Sequence, residues 1–317
     1  MPSSISSSDP VAAAPRNLAR RTAILLVTIV LCTLVVELGM RAGFSRISRI
    51  GKRTHEEYLG ARSLKRESNV SPVLLAGNSL LLEGVDMPTL EGGFPREVHP
   101  VRYIVEQTEY YDWFYGLKRL FAEGSRPTMV VLCIGPTHFV GSLMLLDSGP
   151  YYLYSLGDLP AIARLQHLSL TDASSLYFAH WSLFFSEKNA LRNFVMGKID
   201  PVYGTFLHEL GMQPAPPMTA QQVTAIATPR FAEIDELCRR NGARFVYLIP
   251  PGFVTNEDAL RAAAADAHVP FLAPVRQSEW PLSKFRDGFH LTPESSIEFA
   301  RLLAPELVAV EAGKGNY

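Results

Sequence analysis

Three residues, far apart in the chain, have the side-chain types that serine chemistry needs. Ser79 closes the apolar run PVLLAGNS (72–79), while Asp287 and His290 stand three apart in RDGFHLTPES (286–295). A serine hydroxyl is a poor nucleophile until a base takes its proton, and an imidazole does this best when a carboxylate orients it. A spacing of three lets the carboxylate fold back onto one ring nitrogen while the other faces the serine. The chemistry would be acyl transfer: attack on an ester, an acyl-serine, and release to water or another hydroxyl. Each fragment alone also has a plainer reading. An Asp-x-x-His recurs by chance in many chains. Ser79 would otherwise be a turn serine capping a helix, His290 a surface loop histidine, and Asp287 the start of an Asx-turn.

Such residues need a scaffold that brings them to one edge. Apolar runs at 72–77, 101–107, 129–135, 244–250 and 269–275 read as strands, and helical spacing appears at 110–124, 229–242, 257–268 and 293–312. Strands that are apolar throughout, separated by helices, predict a parallel sheet covered on both faces. The expected fold is an α/β three-layer sandwich of about five strands. The stretch 140–228 is too long for a loop. Helical patterning at 174–185 and 189–197 makes it an expected helical insertion, which runs through the proline-rich 212–218. In a parallel sheet, ligands meet the loops that leave the carboxyl ends of the strands. Gly77-Asn78-Ser79, Gly135-Pro136-Thr137-His138 and the 286–295 segment are the three candidates.

The 317 residues are 47% hydrophobic, enough for one sizeable core without metals or disulfides. The formal net charge of −1 gives no basic excess for nucleic acid and no acidic partner tail. Three widely spaced cysteines form neither a metal motif nor a disulfide framework. His99, His167, His180, His208 and His268 lack metal-ligand spacing, so neither metal nor cofactor is expected. The segment TAILLVTIVLCTLVVELGM (22–40) carries Glu37 as its single charge and has the ~20 apolar residues a membrane-spanning helix needs. It is longer than the hydrophobic region of a cleavable leader, so an uncleaved anchor is expected. The organisation read from the sequence is a disordered tail at 1–21, an anchor at 22–43, a polar connector at 44–70 and the α/β domain at 71–317. Arginines flank the anchor on both sides, and counting them would place the following domain in the cytoplasm.

With these residues in view, the chain resembles the SGNH, or GDSL-type, esterase family. Gly77-Asn78-Ser79-Leu80 stands where that family has Gly-Asp-Ser-Leu after the first strand. Asp287-Gly288-Phe289-His290-Leu291 matches its C-terminal Asp-x-x-His block. The resemblance implies a flavodoxin-like sheet, Ser79 as nucleophile, His290 as general base and Asp287 as its orienter. The family also has a glycine after the second strand and a Gly-x-Asn after the third, which with the serine N–H stabilise the oxyanion. Here Gln107-Thr108-Glu109 and Gly135-Pro136-Thr137 stand there, with the Thr137 hydroxyl in the asparagine's place. The resemblance thus implies an oxyanion or substrate-binding set of Thr137, Asn78, Gly135 and Thr108. Anchored relatives handle acyl groups on envelope polymers outside the membrane. That analogy implies a serine esterase or O-acyltransferase on the outer face of the cytoplasmic membrane, with an acylated carbohydrate or other ester as substrate. The alternative is a non-catalytic binding or assembly subunit of an envelope polysaccharide system, favoured by the missing glycine and asparagine.

Overall fold

The computed structural model describes residues 15–67, 69–199, 218–252, 256–276 and 279–313. The first fourteen residues of the expected tail and 212–217 of the proline-rich stretch lie outside the described residues. The chain divides into two compact units, Met1–Phe44 and Ser45–Tyr317.

The first unit is built on helix α1 (Pro15–Ile47), which already includes the last residues of the expected tail. Within it, Leu18–Phe44 is long and apolar enough to cross a membrane, with a mean hydropathy of 2.5 over its most apolar 18-residue window. Four of its polar side chains are engaged locally. Thr28 and Thr33 donate their hydroxyls to the carbonyls of Ile24 and Ile29, and Arg41 pairs with Glu37 at 2.7 Å. Such internal pairing is what a polar group needs where no water can reach it.

In the second unit five parallel strands form one sheet in the order β2-β1-β3-β4-β5. They are β1 (Ser71–Gly77), β2 (Val98–Ile104), β3 (Met129–Cys133), β4 (Arg244–Leu248) and β5 (Phe271–Leu272). This order is that of flavodoxin-like sheets, whose strand direction of travel reverses between β1 and β3. The expected α/β fold with about five strands is therefore the fold observed. The second strand lies three residues earlier than the apolar pattern suggested. It is an edge strand and so tolerates Pro100, which the pattern had placed outside it.

Successive residues of the central strands point to opposite faces. Leu74, Val130, Leu132, Phe245 and Tyr247 join one core; Val73, Leu75, Val131, Val246 and Leu248 join the other. The first core is roofed by α2 (Arg49–Ser63), α5 (Tyr110–Ala122), α12 (Ala220–Arg240) and α13 (Glu257–Asp266). The second is closed by α14 (Pro293–Glu311), whose Phe299, Leu303, Leu307 and Val310 recur at helical spacing and are fully or nearly fully buried. Burying each such side chain contributes about 1.5–3 kcal/mol. The polar stretch read as a connector thus carries a helix, α2, that packs on the sheet through Tyr58 and Ala61. Helix α12 begins nine residues before the expected start, on a capping box of Thr219 and Gln222, and runs through Pro229. Between β3 and α12 the described part of the insertion is helical. It contains α6 (Pro136–Val140), α7 (Gly149–Tyr152), α8 (Leu159–Leu165), α9 (Leu170–Trp181), α10 (Leu183–Ser186) and α11 (Lys188–Ile199).

Candidate active site

Ser79 is the first residue of α3 (Ser79–Gly84), immediately after β1. The turn is fixed by Asn78, which is 1% exposed. Its Oδ1 accepts the Leu80 N–H at 3.1 Å, capping the helix, and its Nδ2 donates to the Thr108 carbonyl at 3.2 Å. One side chain thereby joins the loop after β1 to the loop after β2. Ser79 itself is half-buried, with its hydroxyl turned toward the carboxyl edge of the sheet, where the crevice of such a fold lies.

The second part of the site is a tight hairpin before α14. Phe285 pairs antiparallel with Leu291, Arg286 N–H donates to the His290 carbonyl at 2.8 Å, and Thr292 N–H donates to that of Lys284 at 3.0 Å. At its tip Gly288 adopts φ +93°, a left-handed turn that disfavours any side chain. Asp287 Oδ1 accepts the backbone N–H groups of Phe289 and His290 at 3.3 and 2.9 Å. Thr292 caps α14 and Pro293 opens it, which anchors the hairpin to the second core.

The two parts meet. His290 Nε2 lies 3.1 Å from Ser79 Oγ, and His290 Nδ1 lies 2.8 Å from Asp287 Oδ2. Partial burial raises the Asp287 pKa, but the hydrogen bonds from the His290 ring and from the two backbone N–H groups outweigh it and bring the carboxyl down to about 2. The carboxylate is thus ionised at any ordinary pH and holds the ring proton on Nδ1. Nε2 is left as the acceptor for the Ser79 hydroxyl. Arg286 bridges the hairpin to the serine's own helix, 2.9 Å from Glu83 and 3.7 Å from Asp287.

A cleft of about 410 Å³ opens over these groups, lined by Ser79, His290, Gly135, Thr137 and His138, with Leu80, Pro136, Pro250, Pro251 and Phe289 as its apolar walls. Gly135 and Thr137 therefore stand where a substrate would lie, the Thr137 side chain exposed. Asn78 and Thr108, expected among the substrate-binding groups, are not in the cleft wall. Thr108 is fully buried; its hydroxyl donates to the Val105 carbonyl and accepts from the Trp113 indole N–H. Asn78 is occupied with the two backbone contacts described above. Both residues build the turn and leave the cleft to others. Beside Thr108, Gln107 holds φ +60°, a backbone conformation that favours glycine. That conformation costs an ordinary residue about 1–2 kcal/mol.

The sequence reading passed over the walls contributed by Phe289 and by Pro250-Pro251-Gly252. The signal was present in both cases. Phe289 sits inside the Asp-x-x-His turn, and the two prolines leave the carboxyl end of β4, where any loop is a candidate. Asp112 is fully buried, accepts the N–H groups of Glu109 and Leu145, and receives the Tyr154 hydroxyl, fastening the segment after α6 to α5. Among the described residues no cluster of His, Cys, Asp and Glu is arranged to hold a metal ion.

No protein-family model matches the sequence, and no curated protein matches it. Among solved structures, the chain is similar to one described as "Crystal Structure of TesA", at 12% sequence identity and a TM-score of 0.35, over 74% of this chain and 97% of that one.

Proposed function

We propose that the protein is a membrane-anchored serine esterase or O-acyltransferase of the SGNH kind. The observation that carries this reading is the continuous line of contacts from Ser79 Oγ through the His290 ring to Asp287, at 3.1 and 2.8 Å. An ester carbonyl in the cleft would be attacked by Ser79 Oγ as His290 Nε2 takes the hydroxyl proton. The tetrahedral oxyanion collapses, the alcohol leaves with the proton returned by His290, and an acyl-Ser79 remains. Water or a sugar hydroxyl, deprotonated by the same nitrogen, then attacks the acyl group and restores the serine. Asp287 stays ionised throughout and stabilises the imidazolium. Its low pKa is what that role requires. The hydrolase and the transferase use the same residues and differ only in the second acceptor.

The apolar walls Leu80, Pro136, Pro250, Pro251 and Phe289 suit a small acyl group, and the open mouth of the cleft suits a bulkier alcohol such as a glycan. An acylated envelope carbohydrate outside the cytoplasmic membrane is the substrate this reading favours, with α1 as the anchor. The protein in detergent is expected to hydrolyse a short 4-nitrophenyl ester. Ser79→Ala and His290→Ala should each lower kcat/KM by about 10⁴-fold or more, and the double variant should be little worse than either. A Ser79→Ala variant with wild-type turnover would remove the assignment. For orientation, alkaline phosphatase fused after residue 317 should be active in intact cells; an inactive fusion of a stable protein would place the domain in the cytoplasm.

A further inference from the structure

Attack at Ser79 puts a negative charge on the carbonyl oxygen, and such a charge in a partly dry cleft needs a donor waiting for it. The Asn78 and Thr108 side chains are committed elsewhere and the Leu80 N–H is taken by Asn78 Oδ1, which leaves the Ser79 N–H and the exposed Thr137 hydroxyl of the donors named so far. The cleft wall nonetheless contains a second imidazole. His138 follows Thr137 on α6, in the loop that leaves the carboxyl end of β3, and its ring lines the same cleft as Ser79 and His290.

Two features set this histidine apart from ordinary loop packing. Its Nδ1 is sealed from solvent and has no hydrogen-bond partner among the described residues. It sits over Gly135, where an added Cβ would lie 3.4 Å from it. A buried nitrogen left unpaired costs stability, so a purely structural site would favour a phenyl or aliphatic ring there. In addition, desolvation lowers the His138 pKa, which keeps the ring neutral. With no acceptor for a proton at Nδ1, the ring carries it on Nε2, the form that histidine intrinsically prefers. A neutral imidazole N–H is a donor that polarises a carbonyl without giving up its proton.

We infer that His138 is a catalytic residue of the acyl-transfer reaction, donating its Nε2–H to the carbonyl oxygen of the ester at Ser79. No bond to His138 is made or broken; its hydrogen bond strengthens as the carbonyl becomes an oxyanion and relaxes when the carbonyl re-forms. The inference rests on the serine esterase reading. It also accounts for an unpaired buried nitrogen that packing alone leaves without a purpose.

The test uses the full chain in detergent and 4-nitrophenyl acetate as the probe, with pre-steady-state acylation and melting temperature measured on the same preparations. His138→Phe keeps the ring and removes both nitrogens. It is expected to slow acylation by about 10²–10³-fold, to leave KM within about threefold, and to hold or raise the melting temperature. His138→Gln places an N–H near the position of Nε2 and should recover at least tenfold of that loss. An acylation rate unchanged in a folded His138→Phe, with Ser79→Ala inactive, overturns the inference and leaves the esterase reading intact. A lowered melting temperature in both variants with normal turnover per folded molecule also overturns it, since His138 would then be structural. If Ser79→Ala retains activity, the esterase reading itself fails and the role of His138 fails with it.

Discussion

A Cβ placed on Gly77 would fall 2.3 Å from the carbonyl oxygen of Cys133, closer than any real contact. Strands β1 and β3 can therefore meet at their carboxyl ends only because residue 77 has no side chain. The same atom would press on Leu81, at 3.0 Å from its Cβ, on the helix that carries Ser79. Gly77→Ala is expected to cost about 1–3 kcal/mol of stability and to displace the Ser79 turn. Denaturant unfolding and esterase turnover on the folded fraction should both fall; unchanged turnover would mean the turn absorbs the shift.

Gly288 gives a cleaner separation of backbone from packing. Nothing lies within 4 Å of its added Cβ, so Gly288→Ala meets open space and pays only for the left-handed φ of +93°. The expected loss is about 1–3 kcal/mol. Relaxation of the hairpin would move His290 from Ser79, so kcat should fall more than the stability change explains. Gly288→Asn should be tolerated better than Gly288→Val, because asparagine visits the left-handed region most readily.

Asn78 is expected to matter through structure. Asn78→Ala removes a helix cap and leaves the buried Thr108 carbonyl without its side-chain donor, for a combined loss of about 2–3 kcal/mol. Asn78→Asp keeps the acceptor for Leu80 but sets a carboxylate against the Thr108 carbonyl, so it should also be less stable than wild type at neutral pH. Thermal melts of the two variants check this. Wild-type stability in both would contradict the role given to Asn78.

A pH dependence follows from Glu109. Burial, with the neighbouring Asp112 charge adding to it, raises its carboxyl to about 7, against the Leu143 N–H and Arg230, which lower it. The native state therefore favours the protonated acid. Relative to the acid side, stability is present below about 4.5 and is lost as pH rises through about 7. Glu109→Gln has no charge to bury. Its melting temperature relative to wild type should be more favourable at pH 8 than at pH 5, and a constant difference would argue against the raised pKa. Asp287 behaves in the opposite sense: its contribution is present above about 3.8 and fades as pH falls toward about 2.

The sheet was legible because strands buried on both faces read as continuous apolar runs, and all five lie within or beside those runs. Edges were less so. The β2 pattern misled because an edge strand admits Pro100, and α12 was shortened because Pro229 looked like a helix start. Ser79, Asp287 and His290 stood out because their side-chain types are rare in that arrangement and their loops leave one sheet edge or precede a helix packed on it. Thr108 was misplaced for a physical reason, while Asn78, whose simpler reading was a bond to local backbone, makes that bond. Small polar residues beside a cleft serve backbone carbonyls and N–H groups as readily as ligands, and only burial tells which. For His138 the sequence left oxyanion or substrate contacts and ordinary loop packing equally open, since an unpaired nitrogen is a property of packing.

In the proposed reaction His290 activates Ser79 as a nucleophile. Exposing the full-length protein in detergent to a fluorophosphonate, followed by peptide mass spectrometry, measures this directly. The expected result is one adduct per chain on the peptide bearing Ser79, abolished in Ser79→Ala and slowed about 10³-fold or more in His290→Ala. A folded wild-type protein that gains no adduct at Ser79, or gains it at the same rate without His290, would contradict the claim.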